Sequence, residues 1–579
     1  MMNDRSFSEK TYPENSFPEN SFPENSFPEN GFPENGLSEK DVFEELRNLS
    51  CLNTDFRKVM SSMCTVPHPA AVKAHDMFIL SNLGDPGLFE GAHLLEKKVI
   101  RDCAELLRHP FPETACGHMT TGATESNIEA VYHMKYRFLK KKGLSGSGSP
   151  DSRHPDPAGL NLVVPASAHF SFEKACRLSG IEIRKAGVDS FFRADPASVR
   201  SLIDENTIGL VGIAGSTEFG YVDPVADLSA IAEEYDLPLH IDAAFGGFIL
   251  PFLPETGSED FRKLFGNENG LLEQDPHSGI RSDPRSDFRP DPCSDLRFDF
   301  SLPGVTSIAL DPHKMGLSVI PSGIILCRHE KVCQGLDIRT HYLTYPIQST
   351  ITGTRTGASA AATYAVMHCL GRSGYAENVR YCLHLKDVFI KKAAECGLRP
   401  SVPPFLNIVT LPFDDHETVS RIRTEMKNKY GWHISAARQI PALRFVLMPH
   451  VIENDIDEMF RDLTGVLKEL SLSDRSLCIR PIPLHQTDPS ASDMSLCIRH
   501  VPLHQTCPSA SDMSLCIRHV SLHQTCPSAS DISLCIRHVP LHQTCPSASD
   551  ISLCIRRLFC VRQFPLILLH RFPYTSVSR

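Results

Sequence analysis

The sequence predicts an α/β protein: a large domain with a mostly parallel sheet, a small C-terminal α+β domain, and repeat-rich ends outside both. Three observations carry this. An apolar strand at 208–214 is followed by Asp223-Pro224, which starts a helix with Pro at its first position. Its apolar residues Val225, Leu228, Ile231 and Ala232 form one stripe, and Pro238-Leu239-His240-Ile241-Asp242 returns as a strand. That is a βαβ unit, which requires parallel strands and a right-handed crossover. Two more apolar runs, 161–165 and 306–310, end in polar, ligand-capable residues, as strands of open α/β sheets do. Over 380–470, helical and strand patterns alternate on a smaller scale, with strands near 405–411 and 443–447 and a helix at 456–470.

The elements follow in order. Residues 1–36 form an arm in which Phe/Tyr-Pro-Glu-Asn-Ser/Gly recurs five times from Tyr12 to Gly36. One aromatic per unit cannot build a core, so disorder is expected. An N-terminal helical segment spans 37–95 and opens with a helix capped by Ser38. The large domain spans 96–345. It is interrupted by a Ser/Gly/Pro/Asp-rich insertion at 143–159 and a longer one at about 255–297, both expected to be disordered loops. Within it, 94–107 is helical, the small-residue turn Gly122-Ala123-Thr124 enters a helix, and 322–328 is another strand. The small domain spans 346–472 and begins with an alanine-rich helix at 358–370.

From 473 to 579 the chain is a tail built on a 19-residue unit, with copies starting at Ser476, Ser495, Ser514, Ser533 and Ser552. A period near 20 residues is compatible with a solenoid. Near-identity of the copies at every position, with Pro and Ser clusters in each, argues instead for a tandem duplication with little fixed structure. Nine of the 20 cysteines lie in this tail, and the others form no Cys-x-x-Cys pair, so a disulfide framework or zinc site is not expected. Reduced thiols, no secretory leader and no apolar run of about 18 residues predict a cytoplasmic protein without a membrane span. The net charge is −11, and the nine Arg against five Asp from Ser476 onward are too dilute to predict nucleic-acid binding.

The chemistry centres on Thr306-Ser307-Ile308-Ala309-Leu310-Asp311-Pro312-His313-Lys314-Met315-Gly316. A lysine just past a buried strand is poorly hydrated, which favours its neutral form. A neutral amine is the nucleophile that Schiff-base chemistry needs. Gly122-Ala123-Thr124 offers free backbone N–H groups at a helix start, an anion site. His169 follows the strand at 161–165, and Asp242 ends the returning strand beside the small residues Ala243, Ala244, Gly246 and Gly247. Each of these also has a plain structural reading, as a cap, a turn or a core residue. Their joint occurrence at strand ends is what points to a site.

Over about 37–470, three motifs carry a family resemblance. They are Pro165-Ala166-Ser167-Ala168-His169-Phe170-Ser171, His240-Ile241-Asp242-Ala243-Ala244-Phe245-Gly246-Gly247 and Asp311-Pro312-His313-Lys314-Met315-Gly316. Through them the chain resembles the group II pyridoxal-phosphate-dependent amino acid decarboxylases of fold type I, in particular the archaeal L-tyrosine/L-aspartate decarboxylase branch. The resemblance implies pyridoxal 5′-phosphate held by Lys314 as a Schiff base, His313 at its phosphate, Asp242 at its ring nitrogen and His169 stacked on the ring. Gly122, Ala123 and Thr124 would cradle the phosphate, and Thr217 would bond near the ring. It further implies Tyr342 on a mobile loop as the group that reprotonates Cα, and Arg355 as a grip for a carboxylate or phosphate through its forked donors. The implied reactions are L-tyrosine to tyramine and L-aspartate to β-alanine, which in that family feed methanofuran and coenzyme A synthesis. The implied assembly is a homodimer with shared active sites. A carbon–carbon lyase of the same fold, resembling sphingosine-phosphate lyase, shares the Asp and His-Lys motifs and stays open as an alternative. A non-catalytic, repeat-bearing interaction protein is the other.

Overall fold

The structure, a computed structural model, describes residues 35–144, 159–256 and 296–470. Residues 1–34 of the N-terminal arm, the cores of both insertions (145–158 and 257–295) and the tail from 471 lie outside the described residues.

Helix α1 (Glu39–Ser50) is capped by the Ser38 hydroxyl, which accepts from the Asp41 N–H. After α2 (Pro69–Met77) and α3 (Glu90–Leu106) comes β1 (Cys116–Thr120), then α4 (Ala123–Lys141). Next are β2 (Asn161–Pro165), α5 (Ser171–Ser179), β3 (Glu182–Ala186), α6 (Pro196–Ser201), β4 (Thr207–Ile213), α7 (Val225–Glu234) and β5 (Leu239–Asp242). Strands β6 (Val305–Leu310) and β7 (Gly323–Cys327) complete a seven-stranded sheet in the order β1-β7-β6-β5-β4-β2-β3. Strands β2 to β6 are mutually parallel, and β7 runs against both of its neighbours. The expected β4–α7–β5 unit is present, with Leu210 opposite Leu239 and Ile213 opposite Asp242. Strands β2, β4 and β5 are buried along their whole length, as expected for a parallel sheet covered on both faces.

One detail differs at the start of α7. Pro224 stands before the helix, not in its first turn, because Asp223 is drawn into the sheet. Its carboxylate accepts from Ala194 N (2.7 Å) and Ile213 N (2.8 Å). Burial pushes the Asp223 pKa up to about 7 despite these two bonds.

Beyond β7, a two-stranded ribbon of β8 (Ile338–Arg339) and β9 (Ile347–Gln348) precedes α8 (Gly357–Glu395). The predicted alanine-rich helix is only the first part of α8. At Gly371 (φ 58°, ψ −172°) the backbone breaks and then resumes the helix. A three-stranded sheet follows: β10 (Ile408–Pro412), β11 (Ser435–Ala437) and β12 (Ala442–Val446), ordered β10-β12-β11. It is flanked by α9 (His416–Tyr430) and α10 (Glu453–Glu469). This sheet has its own core around Trp432, Phe445 and Phe460, to which the second part of α8 contributes Leu385 and Phe389.

The ends of the longer insertion are tighter than the sequence suggested. Leu296, Phe298 and Phe300 are buried, and Asp299 pairs with Arg108 at 2.7 Å. The thiols also need correction. Cys327 at the end of β7 is disulfide-bonded to Cys333, Cα to Cα 6.4 Å, because the chain turns back at His329–Val332. A separation of six residues falls outside the Cys-x-x-Cys pattern. Among the described residues, no helix is long and apolar enough to cross a membrane.

Candidate active site

Five strands deliver side chains to one end of the large sheet. Gly122-Ala123-Thr124 follows β1, His169 follows β2, Thr217 follows β4, Asp242 ends β5, and His313 and Lys314 follow β6. All of them line one cavity of about 260 Å³, together with Met63, Phe170, Phe245 and Asp311. This is the carboxyl edge of the parallel strands, where open α/β sheets bind ligands.

Close backbone approaches shape the cavity floor. A Cβ on Gly323 would lie 2.4 Å from Gly122 Cα, so β7 meets the turn before α4 only because residue 323 is glycine. Gly215, at φ 94°, abuts Gly246, where a Cβ would stand 2.8 Å from the Gly246 nitrogen.

The Lys314 ammonium pairs with Asp311 Oδ2 at 2.9 Å, and Asp311 Oδ1 accepts from Ala123 N at 2.7 Å. Burial alone would depress the amine's pKa, as the sequence suggested. The Asp311 carboxylate outweighs burial, with Asp242 and the Cys64 thiol adding to it, so the pKa lies above the ordinary lysine value. The expectation of a neutral lysine is therefore corrected for the cofactor-free chain. His313 Nδ1 donates to the Ser322 carbonyl at 2.5 Å, leaving Nε2 turned to Asp311 at 3.8 Å. Asp242 is buried, and its Oδ1 accepts from Ala244 N at 3.1 Å. Burial lowers the His169 pKa, and Lys314 adds to the effect while Asp242 opposes it. Thr217 is fixed from behind, its carbonyl accepting from Arg444 Nε at 2.6 Å.

Two predicted residues stand elsewhere. Tyr342, between β8 and β9, is 85% exposed and does not line the cavity. Arg355, with a side chain 11% exposed, is ion-paired with Glu96 and also donates to the Met119 carbonyl at 3.1 Å. Its fork clips the segment before α8 to α3 and β1. Glu96 is held down at about 2: burial would raise it, but His93 and then Arg355 outweigh that.

Sequence reasoning passed over Asp311, Asn127, Ser171 and His240. Asp311 stood inside the quoted lysine motif. His240 precedes Asp242 by two residues on β5, and the two-residue period of a strand puts both on one face. That signal was available. Asn127 and Ser171 carry none, since only the packing of α4 on α5 brings them together.

Similarity to known proteins accords with this geometry. The pyridoxal-dependent decarboxylase conserved domain matches residues 91–261. A probable L-tyrosine/L-aspartate decarboxylase of Methanosarcina barkeri is 46% identical over 440 residues, covering 74% of this chain and 98% of that protein. A probable L-aspartate decarboxylase of Archaeoglobus fulgidus is 39% identical over 428 residues, covering 74% of this chain and 100% of that protein. Among solved structures, the sphingosine-1-phosphate lyase of Burkholderia pseudomallei superposes with a TM-score of 0.61 at 24% identity, over 76% of this chain and 92% of that one. The glutamate decarboxylase of Lactobacillus brevis gives 0.61 at 21% identity, over 77% and 95%. These two likenesses concern the fold.

Fold, site and sequence together define a pyridoxal-dependent amino acid decarboxylase of fold type I. The chain belongs to the family of the archaeal L-tyrosine/L-aspartate decarboxylases, and pyridoxal 5′-phosphate is its cofactor. The residues present fit that group: an amine and a carboxylate line one cavity, and so does the Gly122-Ala123-Thr124 turn at the start of α4, whose Ala123 N–H is held by the Asp311 carboxylate.

Proposed function

We propose that this chain removes the α-carboxyl group of L-tyrosine, giving tyramine and CO₂, and acts more slowly on L-aspartate, giving β-alanine. The observation that carries the preference is the composition of the cavity wall. Met63, Phe170 and Phe245 offer an apolar slot, whereas Arg355, the cation expected to grip a carboxylate, is bound to Glu96. A β-carboxylate placed in such a slot without a matched cation is left unpaired, which is where discrimination becomes large.

When bound, pyridoxal 5′-phosphate supplies the sink for the electron pair left by CO₂. The chain supplies the rest. Lys314 Nζ must give up a proton before it can attack a carbonyl, and Asp311 Oδ2, 2.9 Å away, holds that proton on the amine until the pair is broken. Asp242 would pair with the cofactor's ring nitrogen, His169 would face the ring and Thr217 would bond beside it. Gly122, Ala123, Thr124 and His313 would hold the phosphate end.

The working unit in this proposal is a homodimer. In a single chain, Phe43, Leu46 and Leu49 of α1 are exposed, as are Ile79, Leu80, Tyr342 and Tyr345. Apolar surface of this extent calls for a partner, and a second copy would cover it. The same copy would bring Tyr342 to a neighbouring cavity, where its hydroxyl can protonate Cα. The eight free cysteines among the described residues, against one disulfide, fit a cytoplasmic setting.

The test is direct. The purified, cofactor-loaded chain is given a panel of amino acids while tyramine, β-alanine and CO₂ are measured, and its mass in solution is read by light scattering. Tyramine in excess of β-alanine from a dimer is expected. Release of neither amine by protein that carries the cofactor overturns the proposal.

A further inference from the structure

Behind the cavity wall, buried side chains from β6, β5, α4 and α5 form a chain of hydrogen bonds whose direction can be assigned. Ser307 Oγ lies 2.8 Å from His240 Nδ1, and His240 Nε2 lies 2.9 Å from Asn127 Oδ1. Asn127 Nδ2 then reaches two groups, Asp242 Oδ2 at 3.0 Å and Ser171 Oγ at 2.9 Å. Ser171 Oγ is 3.0 Å from His169 Nδ1, which also accepts the Ser171 backbone N–H at 3.3 Å. Asn127, His240 and Ser171 are fully buried and do not line the cavity, so each acts only through its neighbours.

The protons follow from donor and acceptor chemistry. A carboxylate oxygen accepts, so the Asn127 nitrogen faces Asp242 and its carbonyl faces His240. His240 Nε2 therefore carries a proton. Burial, with His133 adding to it, holds the His240 pKa at about 3, so the ring is neutral and its bare Nδ1 accepts from the Ser307 hydroxyl. At the other end, His169 Nδ1 is already accepting a backbone N–H, so it is bare. The Ser171 hydroxyl donates to it and takes the second Asn127 proton. Each donor and each acceptor in the chain is used consistently, and reversing the amide would set its carbonyl against the Asp242 carboxylate.

We propose that Asn127 is a positioning residue for this site, an amide fork that aims the Asp242 carboxylate and fixes His169 as the Nε2–H tautomer, with His240 locking its orientation. This rests on the reading that the cofactor ring lies between Asp242 and His169. The ring-nitrogen partner and the stacking histidine are then set by one buried amide and respond together when it is lost. His169 is also faced by Lys314, Asp311 and Lys174, whose charges are unchanged by altering Asn127.

The test compares the full-length chain with Asn127→Ala, His240→Leu and His240→Gln. Two quantities are read: the dissociation constant for pyridoxal 5′-phosphate added to cofactor-free protein, and the midpoint of the pH titration of the bound cofactor's absorbance. Asn127→Ala should weaken binding by about tenfold or more, as for a lost bond to a charged group. It should also move the absorbance midpoint by about one pH unit. His240→Leu removes the lock and should do the same, whereas His240→Gln keeps an N–H for Asn127 Oδ1 and should restore both values. Wild-type affinity and midpoint in Asn127→Ala overturn the proposal. If Asn127→Ala does not fold, identical values for His240→Leu and wild type overturn it. Failure of the wild-type chain to bind the cofactor would overturn the underlying reading instead, and the two failures are told apart by that control.

Discussion

Asp311 holds Lys314 from one side and the start of α4 from the other: Oδ2 lies 2.9 Å from Lys314 Nζ, and Oδ1 accepts from Ala123 N at 2.7 Å. One carboxylate thus occupies both the amine and a backbone donor of the turn into α4. A lysine whose folded pKa is raised contributes stability that is complete below its unfolded value and is lost only as pH rises through the folded one. The pair therefore holds throughout the neutral range, and the amine is kept charged there.

Asp311→Asn should release it. Asn still accepts from Ala123 N but no longer holds a cation, so Lys314 should react with the cofactor at lower pH, with Asp242 and Cys64 still facing it. The measurement is the pH dependence of the rate at which a borohydride-fixable chromophore forms when pyridoxal 5′-phosphate is added to cofactor-free protein. An unshifted curve would count against the pair's role, and Lys314→Ala should give no fixable chromophore at all.

Asp242→Asn should bind cofactor yet turn over at least about a hundredfold more slowly, because a neutral amide does not hold a ring nitrogen protonated. Cofactor retained after dialysis, measured beside kcat, separates the two effects. Turnover close to wild type would remove Asp242 from the chemistry.

The Glu96–Arg355 pair should make stability depend on acid. Glu96 titrates at about 2 in the folded chain, so its contribution is complete above the ordinary carboxylate range and is lost as pH falls from there through 2. Glu96→Gln leaves the mostly buried Arg355 without its carboxylate and should cost about 3 kcal/mol at pH 7. Thermal melts at pH 7 and pH 3 check this: the gap between variant and wild type should narrow at the lower pH.

Gly323→Ala tests the cavity floor. Its Cβ would stand 2.4 Å from Gly122 Cα and 2.5 Å from Thr120 Oγ1, so β7 or the cradle must move. A loss of about 1–3 kcal/mol is expected from such overpacking, with weaker retention of cofactor. A melt and affinity like wild type would show that the floor yields freely.

What the chain disclosed in advance follows a pattern. Asp242, His169 and Lys314 were legible because each ends an apolar run, and a buried parallel strand announces its own carboxyl end. The reversed direction of β7 was not legible: 322–328 is as apolar as its parallel neighbours, and only pairing sets polarity. Strand β3 was missed because its sequence, Glu-Ile-Arg-Lys-Ala, lies half-exposed at the sheet edge. Arg355 was misjudged since its partner Glu96 is 259 residues away. The charge state of Lys314 was misjudged for a nearer reason. Burial was weighed without the aspartate three residues before it, which a loop turns back onto the amine.

The polarity of the large sheet also separates the two ends of its parallel strands. Every cavity residue after a parallel strand leaves that strand's carboxyl end, whereas residues 145–158 rejoin the described chain just ahead of β2, and 257–295 rejoin it ahead of β6. The described residues Gly159 and Leu296 thus lead into the amino ends of β2 and β6, opposite the ends that His169 and Lys314 follow. Each strand of this sheet therefore keeps what enters it and what leaves it on opposite edges.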